Sequence, residues 1–156
     1  MSKRGLCQGK RKDNGKWIEG YYVCIGEKHH FIFTGEIAFI RGNVGAENYE
    51  VDGETLRRNT FAADMNGVDI YEGDIVCFNG RYGEIVYNAH IGCFELETDS
   101  ECFPISYHDE FEVRGNIYDD SYFLEGGENN DPKHITDNLR LLAQHPKAVA
   151  LFNSRR

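Results

Sequence analysis

Asp64-Met65-Asn66-Gly67-Val68-Asp69-Ile70-Tyr71-Glu72-Gly73-Asp74-Ile75-Val76 places two turn signals and a strand within thirteen consecutive residues. Asn66-Gly67 offers the positive-φ positions of a tight hairpin turn, and Glu72-Gly73-Asp74 makes a second bend before the apolar run Ile75-Val76-Cys77-Phe78. Chain reversal followed by a buried strand is how small barrels begin. The stretch holds no nucleophile, base or ligand set, so it speaks to fold before chemistry.

Toward the carboxyl end, four strands are expected at residues 75–78, 84–87, 93–96 and 111–117, punctuated by Asn79-Gly80, Tyr82-Gly83, Ile91-Gly92 and the acidic turn around Asp99. Short strands about ten residues apart predict a small antiparallel barrel or sandwich, with Gly83 and Gly115 at its sharp bends. Toward the amino end, residues 17–25 and 29–33 are rich in aromatic and β-branched side chains and read as a hairpin turning at Gly26-Glu27. Residues 37–40 and 49–51 read as short strands around a loop holding Gly42 and Gly45. After a polar break at 125–130, Asp131 and Pro132 form a helix start, and Ile135, Leu139 and Leu142 share one face of that helix. Such a stripe docks on its own core or serves as a partner-binding tail.

The chain therefore reads as mainly β in three parts: a basic lead and β portion at 1–60, a barrel at 61–125 and a helical tail at 126–156. A chain of 156 residues buries an adequate core without disulfides or a structural metal. Its 17 Gly, 3 Pro, 10 Phe and 9 Tyr suit a turn-rich sheet protein. The five cysteines form no C-x-x-C pair and are odd in number, which points to a reduced, cytoplasmic setting. No window approaches the roughly eighteen consecutive apolar residues of a membrane span.

The 17 Lys and Arg stand against 26 Asp and Glu, a formal charge of -9 that argues against general nucleic-acid binding and suits a basic partner. Lys3, Arg4, Lys10, Arg11, Lys12 and Lys16 crowd the amino end, and they read as a solvated tail or as a phosphate-contacting arm. Trp17, Tyr21 and Tyr22 beside them would pack in a core or stack on bases. Glu95, Glu97, Asp99 and Glu101 alternate along a strand and turn, presenting a one-sided acidic stripe.

Catalytic constellations are not evident. His29 and His30 would point to opposite faces of a strand, and the adjacency of His108 and Asp109 does not itself bring the carboxylate to the ring nitrogen. The segment 9–16 breaks the Walker A count and puts Trp17 where a hydroxyl is needed. Glu72 and Asp74 could face one another across the bend as a carboxylate pair, although turn chemistry already accounts for an Asp beside Gly73. No metal or cofactor is expected.

Gly9-Lys10-Arg11, Asn14-Gly15-Lys16-Trp17-Ile18-Glu19-Gly20-Tyr21, residues 67–76 with the core Ile70-Tyr71-Glu72-Gly73-Asp74-Ile75-Val76, and Val113-Arg114-Gly115-Asn116-Ile117-Tyr118 occur in this order along the chain. On these segments the chain resembles the YopX family of bacteriophage and prophage proteins. The resemblance implies an SH3-like β-barrel in the second half with a smaller β portion before it, and no assigned activity. Many relatives carry a Gly-containing stretch around Thr-Gly-Leu before the 67–76 segment, where this chain has Asn59-Thr60-Phe61-Ala62-Ala63. The expected function is that of a non-enzymatic phage or mobile-element protein that binds and modulates a host macromolecule in the host cytoplasm, with counter-defence as one outlet. Its partner-binding candidates are Lys10, Arg11, Lys12, Trp17, Tyr21, Tyr22, Tyr71, Glu72 and Asp74. A nucleic-acid-binding barrel is the first alternative, and a small-ligand binder or hydrolase around Glu72 and Asp74 the second. Sheet edges leave homo-oligomerisation open.

Overall fold

The computed structural model describes residues 5–40 and 43–125, with side chains described for 5–35 and 47–125. Two antiparallel sheets account for nearly all of it. The first contains β1 (Leu6–Lys10), β2 (Trp17–Ile25), β3 (His29–Ile40), β4 (Asn43–Val51), β5 (Arg57–Ala63) and β6 (Asp69–Tyr71), in the order β4-β3-β2-β1-β5-β6. The second contains β7 (Asp74–Phe78), β8 (Arg81–Asn88), β9 (Cys93–Glu97), β10 (Cys102–Pro104) and β11 (Glu112–Asn116), in the order β10-β9-β8-β7-β11. A single turn of helix, α1 (Tyr122–Glu125), follows β11. Among the described residues no helix is long and apolar enough to cross a membrane. The helix expected from Asp131 lies outside the described residues.

Both turn signals in the opening stretch form, by different means. Gly67 takes φ +79° while Asn66 keeps a negative φ, and the turn is held by Asp64, whose Oδ1 accepts N–H bonds from Asn66 and Val68 at 2.9 Å each. Its Oδ2 accepts from the Val113 N–H at 2.9 Å, which ties the turn to β11. At the second bend Gly73 takes φ +80°. Its N–H donates to the Ile85 carbonyl at 2.8 Å and its carbonyl accepts from the Ile117 N–H at 2.9 Å.

The larger core lies between the second sheet and the β5–β6 edge of the first. Ile70, Val76, Phe78, Ile85, Leu96 and Phe111 are buried there, with Ala62, Phe94 and Phe103 packed against them. Phe78 meets Phe103 and Phe111 edge-on at 4.9 and 5.2 Å, the geometry aromatic quadrupoles favour. Each such side chain contributes about 1.5–3 kcal/mol by leaving water. A smaller core in the first sheet is built on Ile32 and Val51, both fully buried. There Gly9 and Gly20 matter for their missing Cβ: one on Gly9 would sit 3.2 Å from Val51, and one on Gly20 would run into the Phe33 carbonyl. Gly83 marks a close approach of two strands, since a Cβ there would strike the Glu97 carbonyl. Gly115 lies at a register shift between β11 and β7, with Asp120 filling the space over it.

Part of the basic lead departs from expectation: Lys12 and Lys16 are exposed and Lys3 and Arg4 lie outside the described residues, but the stretch before Arg11 is ordered into the sheet. Leu6–Lys10 is neither a solvated tail nor a free arm but a strand paired with both β2 and β5.

Candidate functional site

Four separated sequence segments meet at the seam between the two sheets. Arg57, on β5, is buried, and its guanidinium pairs with Asp74 at the start of β7 while its second amino group donates to Gln8 Oε1 on β1. Asp74 is buried too, and its other oxygen accepts the Tyr71 N–H at 2.7 Å. Burial pushes the Asp74 carboxyl up, opposed by the Arg57 charge and the Tyr71 N–H. The Arg57 guanidinium lies 4.5 Å from the centre of the Trp17 ring and 5.5 Å from that of Tyr71, so the charge is enclosed by aromatic faces as well as paired. The Tyr71 hydroxyl donates to Glu19 on β2. Burial and that carboxylate both raise its pKa.

Trp17 extends the seam toward the carboxyl side. Its Nε1 donates to Asp119 Oδ2 at 2.6 Å, and Lys10 pairs with the other oxygen of Asp119. Lys10, then Trp17, hold the Asp119 carboxyl below the usual range. Tyr118 packs on Trp17 at 5.7 Å, and Asn116 Oδ1 accepts the N–H groups of Tyr118 and Asp119 at 3.0 and 3.1 Å. Glu72, on the rim, makes a two-pronged pair with Arg58 at 2.8 and 2.9 Å, and Arg58 in turn lies 4.4 Å over Tyr87. Glu72 and Asp74 thus each face an arginine and not one another.

Of the partner-binding candidates, Lys10, Trp17, Tyr71, Glu72 and Asp74 converge on this seam. Arg11, Lys12, Tyr21 and Tyr22 lie elsewhere in the first sheet. Arg11 pairs with Asp13 and stacks 3.9 Å over Tyr49, and Lys12 pairs with Glu50 at 2.8 Å. Tyr21 is half-buried opposite Phe33. Tyr22 stacks on His30 and shares a 2.6 Å hydrogen bond with its Nδ1. Each of the three basic candidates therefore already has an acidic neighbour. Asp109 does approach His108 Nδ1, at 3.2 Å, but the Ala63 carbonyl is nearer at 2.7 Å. Among the described residues no group of three or more His, Cys, Asp or Glu is placed to hold a metal ion.

The acidic stripe has a different character. In the β8–β9 ladder Glu84 lies directly opposite Glu97, and no cation among the described residues pairs with either. Burial, then the Glu97 charge, push the Glu84 carboxyl up. Beside them a cleft of about 600 Å³ opens between these strands and α1, walled by Arg81, Gly83, Thr98, Phe123 and Leu124. Of the stripe's other acids, Glu95 accepts from Asn88 at 2.9 Å and Glu101 reaches Arg81 at 3.5 Å. Sequence reading missed Glu84, Asp119 and Arg57. Glu84 gains its meaning only from cross-strand register, and the other two from partners distant in the chain.

No curated protein matches the chain. The four segments that build the seam fall within residues 9–125 or at their border, and those residues match the model of the YopX protein family, to which the chain belongs.

Proposed function

We propose that the protein is a non-enzymatic binder of phage or mobile-element origin, whose acidic second sheet, read as an SH3-like barrel, takes a basic host protein in the bacterial cytoplasm and modulates it. The observation that carries this reading is Glu84 opposite Glu97, neither paired with a cation among the described residues, beside an open cleft whose lining arginine, Arg81, reaches Glu101 instead. Like charges directly across a ladder cost stability. A Lys- or Arg-bearing partner removes that cost on binding, so the arrangement favours a complex over the free protein. The seam supports the same reading from the other side, since its titratable groups are engaged with one another and are not directed at a common reacting position.

The test is affinity capture from host lysate at physiological salt with the wild type and with Glu84→Gln/Glu97→Gln. A basic protein retained by the first and lost by the second is expected. Equal retention by both would remove the acidic face from the account.

A further inference from the structure

Among the described residues three non-glycine positions have positive φ: Glu27, Asn79 and Phe61. Glu27 and Asn79 sit in turns beside glycines, where that conformation is ordinary. Phe61 sits within β5 at φ +65°, and its side chain is 64% exposed. For a bulky L-residue the left-handed region is strained, and Gly or Asn would occupy it at lower cost. Phe61 recovers little of that cost by burial.

The strained backbone is held in place by buried polar groups. Asn59, 3% exposed, accepts the Phe61 N–H on its side-chain oxygen at 2.7 Å. Thr60 donates to the Ile70 carbonyl at 2.8 Å and accepts the Ala62 N–H at 3.3 Å. Asp64 fixes the following turn through the three bonds already described. The same hairpin presents Met65 and Val68, 60% and 49% exposed. A rigid segment that spends conformational energy to hold three apolar side chains in water is built for contact, because pre-organised anchors carry most of the binding energy at protein interfaces. The surroundings select the partner. Met65 donates its N–H to the Phe111 carbonyl, and His108 contacts Ala63, which places exposed Asp109 and Glu110 beside the hairpin. The nearest cation on β5, Arg58, is engaged by Glu72.

We propose that the β5–β6 hairpin is a docking surface in which Phe61 enters an apolar pocket on a partner protein whose rim carries Lys or Arg. This deepens the binder reading and rests on it, while adding an anchor on a different edge from Glu84 and Glu97.

The test pans a phage-displayed random peptide library on full-length wild type and measures the recovered peptides on Phe61→Gly, Phe61→Asn and Glu84→Gln/Glu97→Gln. Peptides that combine an apolar core with Arg or Lys are expected, with affinity at least tenfold weaker for both Phe61 variants. Those variants should melt at the same temperature as wild type or a few degrees above it, since the strain is relieved. A lower melting temperature would show Phe61 to be a packing residue and would overturn the proposal. So would a wild-type dimer in light scattering that Phe61→Gly converts to monomer, which would make a second copy the occupant. Peptides lost on the Glu variant but unaffected at Phe61 would overturn this docking surface and leave the acidic face standing. A library that yields no binder to wild type would overturn it as well.

Discussion

The seam and the acidic cleft use the same kinds of side chain in opposite arrangements. At the seam Asp74 meets Arg57, Asp119 meets Lys10 and Trp17, and Glu72 meets Arg58, so each carboxylate faces a donor. At the cleft Glu84 meets Glu97. A buried opposed pair is costly to break by removing one partner, whereas like charges directly across a ladder cost the free protein stability. Several of the residues that carry the family resemblance, Lys10, Trp17, Glu19, Tyr71, Glu72, Asp74 and Tyr118, lie at the seam, where their side chains are engaged within the chain. A motif rich in charged and aromatic residues is therefore explained here by internal pairing before any ligand is invoked.

The largest effect expected is on the buried pair. Asp74→Ala leaves the Arg57 guanidinium without its carboxylate between Trp17 and Tyr71, and should cost about 3–5 kcal/mol of unfolding free energy by denaturant titration. Arg57→Met combined with Asp74→Leu should recover much of that loss, because apolar replacement of both partners removes the uncompensated charge. If Asp74→Ala costs less than about 1 kcal/mol, the seam is not the joint described here. A smaller loss is expected at the turn. Asp64→Ala strips three backbone N–H groups of their acceptor and should cost about 1–3 kcal/mol, read by the same titration. Hydrogen exchange should localise that loosening to the β5–β6 hairpin and the start of β11.

How much of this could be read beforehand depends on the range of the interactions. The strands at 17–25 and at 75–78, 84–87, 93–96 and 111–117 were legible because β-branched and aromatic residues bounded by Gly and Asn report a local preference. β1 was hidden because Lys10 and its basic neighbours look solvated until Asp119, far along the chain, is known to meet Lys10. β5 was hidden because Arg57-Arg58-Asn59-Thr60 looks like a loop, and only a partner seventeen residues away makes the buried arginine tolerable. The departure at Asn59-Thr60-Phe61-Ala62-Ala63 was visible as a string. Its physical content, a left-handed backbone at an exposed phenylalanine, was not, because φ at a non-glycine residue is set by the bonds around it.

The smallest effect separates the two regions by sign. Glu84→Gln should raise stability at neutral pH by about 0.2–1 kcal/mol, since it removes one of two like charges across the ladder. A carboxyl whose folded pKa is raised, as burial and Glu97 raise that of Glu84, weakens the fold once pH exceeds its unfolded value of about 4.3, and the penalty is relieved as pH falls through the folded pKa. Asp119 has the opposite sign. Its folded pKa is depressed by Lys10 and Trp17, so its contribution is complete above an unfolded value of about 3.9 and is lost as pH falls through the folded one. Asp13 and Glu50, depressed by Arg11 and Lys12, add to this acid limb, while Asp74, raised by burial, adds to the first. The melting temperature should therefore rise slightly as pH falls from neutral through the folded pKa values of the raised groups, and fall below about pH 4 as the depressed ones protonate. Because Asp74 shares the first limb, the difference between wild type and Glu84→Gln isolates the cleft: it should shrink as pH falls through the folded pKa of Glu84, while Asp119→Asn should flatten only the acid limb. A Glu84→Gln protein no more stable than wild type at neutral pH would mean that Glu84 bears no cost beside Glu97, and the contrast between paired seam and opposed cleft would fail at its cleft end.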